Sequence, residues 1–107
     1  MTKLTINPGV CGFIAKVEAI SDGGMAVTVK VETGCESVTK MFKDLGDTFN
    51  PYEICMARPG AGPLYEYAAQ NFISHGCCPT IAGIIKAMEA ECGLALKRDV
   101  SFTFEQG

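Results

Sequence analysis

Residues 25–32 carry the pattern that most constrains the fold, a strict alternation of apolar and other side chains. The apolar positions in this segment are Met25, Val27, Val29 and Val31. Successive side chains of a β-strand point to opposite faces, so the pattern predicts a strand with one buried face and one solvated face. Such a strand belongs to a sheet whose buried face is covered by a second layer.

Segments on either side of this strand predict the rest of the sheet. We expect a short edge strand at residues 4–6, a strand from residue 12 to about residue 20, and a hairpin turn at residues 21–24. A last strand is predicted near residues 100–104. Its inward positions are Val100, Phe102 and Phe104.

Two predicted helices have well-marked beginnings and ends. Thr33 and Glu36 have the spacing of a capping box, and Gly46 suits the position just after the helix that they begin. Residues 78–79, a Cys-Pro pair, suit the N-cap and first position of the last helix, and Gly93 ends it. The apolar stripes of these two helices are Val38, Met41, Phe42 and Leu45, and then Ile81, Ile84, Ile85, Met88 and Cys92.

Two shorter helices are predicted between them. Asn50 followed by Pro51 marks the start of one, and Pro63 opens another that runs through about Phe72. Three strands thus come first, the helices follow, and one more strand ends the chain. This order predicts an α+β fold, an antiparallel sheet of three to four strands with helices packed on one face. With 107 residues, we expect one domain over residues 1–107.

Composition and charge exclude several classes of partner. The formal net charge is −3 and the chain has no long run of Lys or Arg, so nucleic acid and anionic membranes are not expected as partners. No apolar stretch approaches the roughly 20 residues of a membrane span. The N-terminus lacks the apolar region of a signal peptide. We therefore expect a cytoplasmic protein.

Six cysteines in so short a chain point to metal binding or redox chemistry, because cytosolic thiols stay reduced. Cys35 lies in the first turn of one predicted helix, and Cys78 caps another. Free N–H groups and the helix dipole stabilise an anion at these places, and the thiolate is the form that binds metal. Cys11 lies between a Pro-Gly turn and a strand, where its side chain can point outward at the end of the sheet.

These placements predict a site made of Cys11, Cys35 and Cys78, with His75 or Cys77 as a fourth ligand. Thiolate and imidazole ligands together suit zinc or an iron–sulfur cluster. The alternatives are structural, because a lone cysteine near a helix start is more often a packed residue and the chain has no CxxC pair. We interpret Cys92 as a core residue and leave Cys55 open. The adjacent Cys77 and Cys78 could also form a redox-active disulfide.

Three short motifs carry a family resemblance. They are residues 9–12 (Gly-Val-Cys-Gly) before a hairpin, residues 33–35 (Thr-Gly-Cys) at the start of a helix, and residues 75–79 (His-Gly-Cys-Cys-Pro) at the start of a helix that contains Lys86. In this order the chain resembles the NifU N-terminal and IscU family of iron–sulfur scaffolds and the related TSCPD domain, in a small prokaryotic branch. Phe13 stands where IscU-type scaffolds carry an acidic residue.

The resemblance implies a NifU/IscU-like sheet with three cysteines at one of its ends, binding zinc or an assembling cluster. By position these are Cys11, Cys35 and either Cys77 or Cys78. It also implies a cysteine desulfurase or a cluster acceptor protein as the partner.

Three functions follow from these observations. The first is a metal- or cluster-binding protein without catalysis of its own, active in cluster assembly or carriage. The second is a thiol protein that transfers sulfur or exchanges disulfides through Cys35 or Cys78. The third is a structural or interaction domain whose thiols are simply buried.

Overall fold

The computed structural model describes residues 1–73 and 76–107. Eight elements follow one another along the chain. They are β1 (Thr2–Ile6), β2 (Ala15–Ser21), β3 (Val27–Thr33), α1 (Glu36–Leu45), β4 (Thr48–Phe49), α2 (Pro51–Cys55), α3 (Pro63–Asn71) and α4 (Pro79–Glu91).

The four strands form one antiparallel sheet in the order β1-β2-β3-β4. Ala15 at the start of β2 pairs with Ile6 at the end of β1 and with Thr33 at the end of β3. One face of the sheet is solvated, and the opposite face is buried under the helices. The buried residues of that face include Ile6, Ala15, Val17, Ala19, Val27 and Val29. The prediction of an α+β fold with an antiparallel sheet is confirmed.

Helix α4 lies across β1 and β2, and α1 lies against β3. The C-terminal end of α4 is tied to the sheet by Glu91. Its carboxylate accepts hydrogen bonds from Thr2 Oγ1 at 2.8 Å and from the backbone N–H of Ser21 at 3.0 Å. The N-terminal ammonium of Met1 lies 3.4 Å from the same carboxylate. These contacts fix the direction of α4 along the sheet.

Most helix ends lie where the sequence predicts them. Asn50 is the N-cap of α2 and accepts the N–H of Tyr52, and Pro63 begins α3. Cys78 is the N-cap of α4 with Pro79 after it. Gly46 follows α1 with φ of 84°, a left-handed conformation that glycine adopts without steric cost.

The predicted strand near residues 100–104 is wrong. These residues belong to no strand, and Val100, Phe102 and Phe104 are 55%, 88% and 101% exposed. Alternation identifies a segment able to pair, but a strand also needs a neighbour to accept its backbone hydrogen bonds. The fourth strand is instead β4, whose two residues pair with Val27 and Thr28.

Three local predictions also need correction. Thr33 is not a helix cap, because β3 continues through it, and its Oγ1 accepts the N–H of Cys35 at 3.2 Å. Cys35 is the N-cap of α1 and precedes the first turn. Met25 is exposed because the hairpin turn extends past it, with Asp22 Oδ1 accepting the N–H of Gly24 and of Ala26.

Candidate functional site

Two cysteine-bearing connections leave the sheet at the same end, which we call the cysteine end. It is the end where Ile6, Ala15 and Thr33 pair with one another. The connection from β1 to β2 carries Cys11, and the connection from β3 to α1 carries Cys35. Antiparallel pairing places both connections at this end whatever their detailed conformation.

The N-terminus of α4 points to the cysteine end as well. Gly83 approaches Ile6 so closely that an added Cβ would lie 2.5 Å from Ile6 Cδ1, whereas Glu91 binds Thr2 at the far end of β1. Cys78 precedes Gly83 by five residues, which amounts to roughly 7 Å further toward the cysteine end at the helical rise. Three segments distant in sequence thus bring Cys11, Cys35 and Cys78 to one end of the molecule.

The loop that carries Cys11 packs on the segment that leads to Cys35. A Cβ on Gly34 would lie 3.2 Å from the Phe13 ring. Thr33 Oγ1 donates a hydrogen bond to the carbonyl oxygen of Phe13 at 3.4 Å. Phe13 therefore rests on the junction just before Cys35 and links the two connections. Phe13, two residues after Cys11, thus has a role in packing.

Cys35 and Cys78 share a local environment. Each is the N-cap of its helix, and within the described residues neither side chain makes a capping hydrogen bond. Both are half-buried against the hydrophobic core. The hydroxyl of Tyr65 lies near Cys78, since burial and then the negative charge of the Cys78 thiolate raise the pKa of Tyr65. Both residues thus precede a first helical turn whose N–H groups suit an anion, but among the described residues neither sulfur accepts one of these N–H groups.

Cys11 and Cys77 are exposed. Cys11 lies inside a tight turn in which the N–H of Gly12 donates to the carbonyl of Gly9 at 3.0 Å. Its neighbour Val10 is 107% exposed. The tip of this loop therefore presents its side chains to solvent, and Cys11 is accessible to a metal ion, an oxidant or a partner.

In the described part of the chain, the cysteine end has no ready-made metal centre. In residues 1–73 and 76–107, no three His, Cys, Asp or Glu side chains gather into a group that could hold a metal ion. His75, the predicted fourth ligand, lies outside the described residues. The donor atoms suit zinc or iron in type and share one end of the fold. Their convergence within bonding distance of one ion stays a prediction.

Cys55 and Cys92 form a different set. Cys92 lies beside Ser21 at the opposite end of the sheet, and it packs on the core as the sequence predicts. Cys55 lies 3.9 Å from the carbonyl oxygen of Ile85. Burial, and then the charges of Glu89 and Cys92, raise the pKa of Cys55 to about 11. Burial likewise raises the pKa of Cys92. Both thiols are therefore uncharged at neutral pH, as structural cysteines usually are.

A shallow open cavity lies on α1 beside Cys35, and sequence reasoning did not identify it. Its volume is about 460 Å³, and Gly34 and Glu36 on either side of Cys35 form part of its lining. The remaining lining residues are Thr33, Thr39, Lys40, Lys43 and Asp44. The lining residues that belong to α1 form the polar face of an amphipathic helix, a pattern that by itself indicates only contact with solvent.

Comparison with models of protein families gives a match. The model of a family described as of unknown function, DUF6951, matches residues 2–104. The chain belongs to this family. The DUF6951 match includes all three cysteine segments and the exposed residues Phe102 and Phe104 near its C-terminus. No curated protein and no solved structure matches the chain significantly. Among the residues that the structure describes, no helix has the length and apolarity needed to cross a bilayer.

Proposed function

We propose that this protein binds zinc or an iron–sulfur cluster through Cys11, Cys35 and Cys78. The observation that carries the proposal is the arrangement of the cysteine end, where two connections of the antiparallel sheet and the N-terminus of α4 bring these residues to one end of the sheet. The resemblance of the three cysteine motifs to NifU, IscU and TSCPD proteins supports the same assignment. It also favours a cysteine desulfurase or a cluster acceptor protein as the partner.

The two helix N-caps supply a physical reason for a thiolate at these positions. An N-cap side chain normally accepts an N–H from the first helical turn, and its loss costs about 1 kcal/mol. A metal-bound thiolate at Cys35 or Cys78 would accept such an N–H while its charge is stabilised by the helix dipole. Metal binding would therefore complete the capping of α1 and α4 as well as join them.

Binding requires residues at the cysteine end to rearrange, because the described residues contain no preformed metal group, and the segment that we expect to move is the Cys11 loop. The loop is suited to this movement, since the tip residue Val10 is fully exposed and Gly9 and Gly12 both have positive φ. When a metal site forms only on binding, part of the binding free energy is used to order the segments that carry the ligands. Cys77 adjoins Cys78 in sequence and His75 lies three residues before it, and these two are the candidates for the fourth ligand.

Metal analysis of protein purified without oxygen tests the proposal. We expect close to one zinc ion, or one cluster, per chain. The variants C11S, C35S and C78S should each lower the metal content severalfold. The matched controls are C92S and C55S, which remove thiols outside the proposed site and should retain the metal. Wild-type protein that neither contains nor takes up zinc or iron would refute the proposal, as would an equal loss in C92S.

Thiol chemistry is the second candidate, favoured by the exposure of Cys11 and Cys77. Exposed thiols beside half-buried Cys35 and Cys78 suit a protein that passes sulfur or a disulfide to a partner. Alkylation at neutral pH separates the two candidates. One thiol that reacts much faster than the others, with no protection by added zinc, supports transfer chemistry. Joint protection of Cys11, Cys35 and Cys78 by zinc supports metal binding.

A further inference from the structure

The C-terminal segment, residues 96–107, exposes apolar side chains in the pattern of a strand. Phe102 and Phe104 are 88% and 101% exposed, and Val100 is 55% exposed. Between them lie Ser101 and Thr103. A strand with one buried face alternates in this way, and two exposed phenylalanines spaced to share a face are unfavourable in water. The DUF6951 match reaches residue 104, so the pattern lies within the family's sequence.

The surface of the single chain is larger than its mass predicts. Its accessible surface is 7377 Å², whereas a compact monomer of 11.4 kDa exposes about 5,800 Å². The excess is about 1,600 Å², and each partner of a standard protein–protein interface buries about 800 Å². The chain therefore exposes enough additional surface to form an interface of that size.

Within residues 1–73 and 76–107, the outer edge of β1 is an unpaired strand edge to which the C-terminal segment could add. β1 is the first strand in the sheet order, so among the described residues no strand pairs with its outer side. It is five residues long, whereas β4 at the other edge has two. Unpaired backbone N–H and C=O groups along such an edge accept an additional strand.

The direction of the C-terminal segment favours pairing with β1 of a second copy over pairing with β1 of its own chain. After α4, the N–H groups of Leu94 and Ala95 bind the carbonyl of Glu89, so the segment starts at the Thr2 end of its own β1. Running directly along that strand from there, it would pair with it in parallel. A second copy related by a twofold axis perpendicular to β1 presents that strand in the antiparallel direction, which gives the more stable ladder.

An antiparallel register exists in which every side chain finds a suitable neighbour. Phe104 lies opposite Leu4 and Phe102 opposite Ile6, on the face covered by α4. On the solvated face Glu105 lies opposite Lys3, whose Nζ in the single chain lies 3.9 Å from Glu18 Oε1. Thr103 then lies opposite Thr5. These apolar, charged and hydroxyl pairs are the kinds that stabilise neighbouring strands.

We propose that two copies of this chain exchange their C-terminal segments, each adding residues 102–105 as a strand to the outer edge of β1 in the other. The partner is therefore a second copy of this protein, joined through a twofold-symmetric interface. The contact at Thr2–Ile6 lies along the sheet edge and leaves the exposed tip of the Cys11 loop free.

Sedimentation of the full-length chain under reducing conditions tests this proposal. The reductant prevents dimers formed by intermolecular disulfides. We expect a species of twice the 11.4 kDa chain mass that dissociates on dilution. The double variant F102S/F104S should remain folded, as judged by circular dichroism, because these side chains are exposed in the single chain. Its dimer dissociation constant should rise about a hundredfold or more, since two buried aromatic rings are lost.

Charge reversal tests the register. K3E and E105K should each weaken the dimer severalfold, and the double variant K3E/E105K should restore it. The matched control is V10S, which removes an equally exposed apolar side chain from the Cys11 loop and should leave the dimer unchanged. A chain that stays monomeric at every concentration overturns the proposal, and so does a dimer that F102S/F104S does not weaken.

Discussion

An added Cβ on Gly83 would lie 2.5 Å from Cδ1 and 2.7 Å from Cγ1 of Ile6. Helix α4 therefore rests directly on the last residue of β1, and glycine is the residue that permits this distance. The same contact directs the N-terminus of α4, with Cys78, to the end of the sheet where Cys11 and Cys35 lie. Packing in the core and the placement of the candidate site thus depend on one close approach.

Substituting Gly83 tests this contact. In an ordinary helix, Gly→Ala stabilises by up to about 1 kcal/mol. Here overpacking should cost about 1–3 kcal/mol, so G83A should lower the free energy of unfolding. Urea denaturation measures it. The variant I6V removes Cδ1 of residue 6. In G83A/I6V the decrease in the free energy of unfolding should therefore be smaller than the sum of the decreases in the two single variants. Strictly additive effects would contradict the contact.

Glu91 predicts a pH-dependent part of the stability. The backbone N–H of Ser21 first, and then Thr2 and the N-terminal ammonium, lower the pKa of Glu91 from 4.5. A lowered pKa in the folded state contributes stability above the unfolded pKa, and this stability is lost as the pH falls through the folded value. E91Q should therefore cost about 1 kcal/mol at neutral pH, with the difference shrinking below pH 4.5.

Urea denaturation of both proteins at several pH values measures this effect. The control is E89Q, since the Glu89 carboxylate contacts Lys86 on the same helix at 3.3 Å and does not tie α4 to the sheet. The free energy of unfolding of E89Q should depend on pH as that of wild type does. If E91Q retained the same pH dependence as wild type, the role of Glu91 would be wrong.

The thiols should differ widely in reactivity. With a pKa of about 11, only about one in ten thousand Cys55 side chains is ionised at neutral pH, and the thiolate is the reactive form. Cys77 is exposed and should react much earlier. Timed alkylation followed by mass spectrometry of peptides measures the order. Cys55 should become reactive only as the pH approaches its raised pKa, and rapid labelling at pH 7 would show that its environment is more open than described.

The cap of α2 gives a further local test. Asn50 Oδ1 accepts the N–H of Tyr52 at 2.9 Å. N50A should lower the free energy of unfolding by about 1 kcal/mol, whereas N50S and N50D should retain most of the stability because they can accept the same hydrogen bond. Thermal unfolding of the three variants is the measurement. Equal losses in all three would indicate that the cap contributes through packing alone.

Local rules predicted the elements whose signals lie within a few residues of one another. Asn50, Pro63 and Cys78 mark helix starts because capping and the geometry of proline depend on nearby backbone alone. The predicted capping role of Thr33 was wrong because threonine suits both a helix cap and the end of a strand. In this chain the pairing of β3 with β2 extends through Thr33.

Long-range relationships were harder to predict. The alternation of Phe102 and Phe104 indicates a strand but does not say which chain supplies its neighbour. The shared end of Cys11, Cys35 and Cys78 follows from antiparallel order and the direction of α4. The distance between their sulfurs depends on loop conformations, which short motifs do not determine. The packing of Cys92 on the core followed from its place on the apolar stripe of α4.

X-ray absorption spectroscopy of zinc-loaded, full-length protein prepared without oxygen tests the central claim most directly. The account predicts a zinc coordination shell that contains at least three sulfur atoms at about 2.3 Å, with one sulfur fewer in C78S and an unchanged shell in C92S. A shell of only oxygen and nitrogen atoms, or one that C78S leaves intact while C92S alters it, would contradict the account.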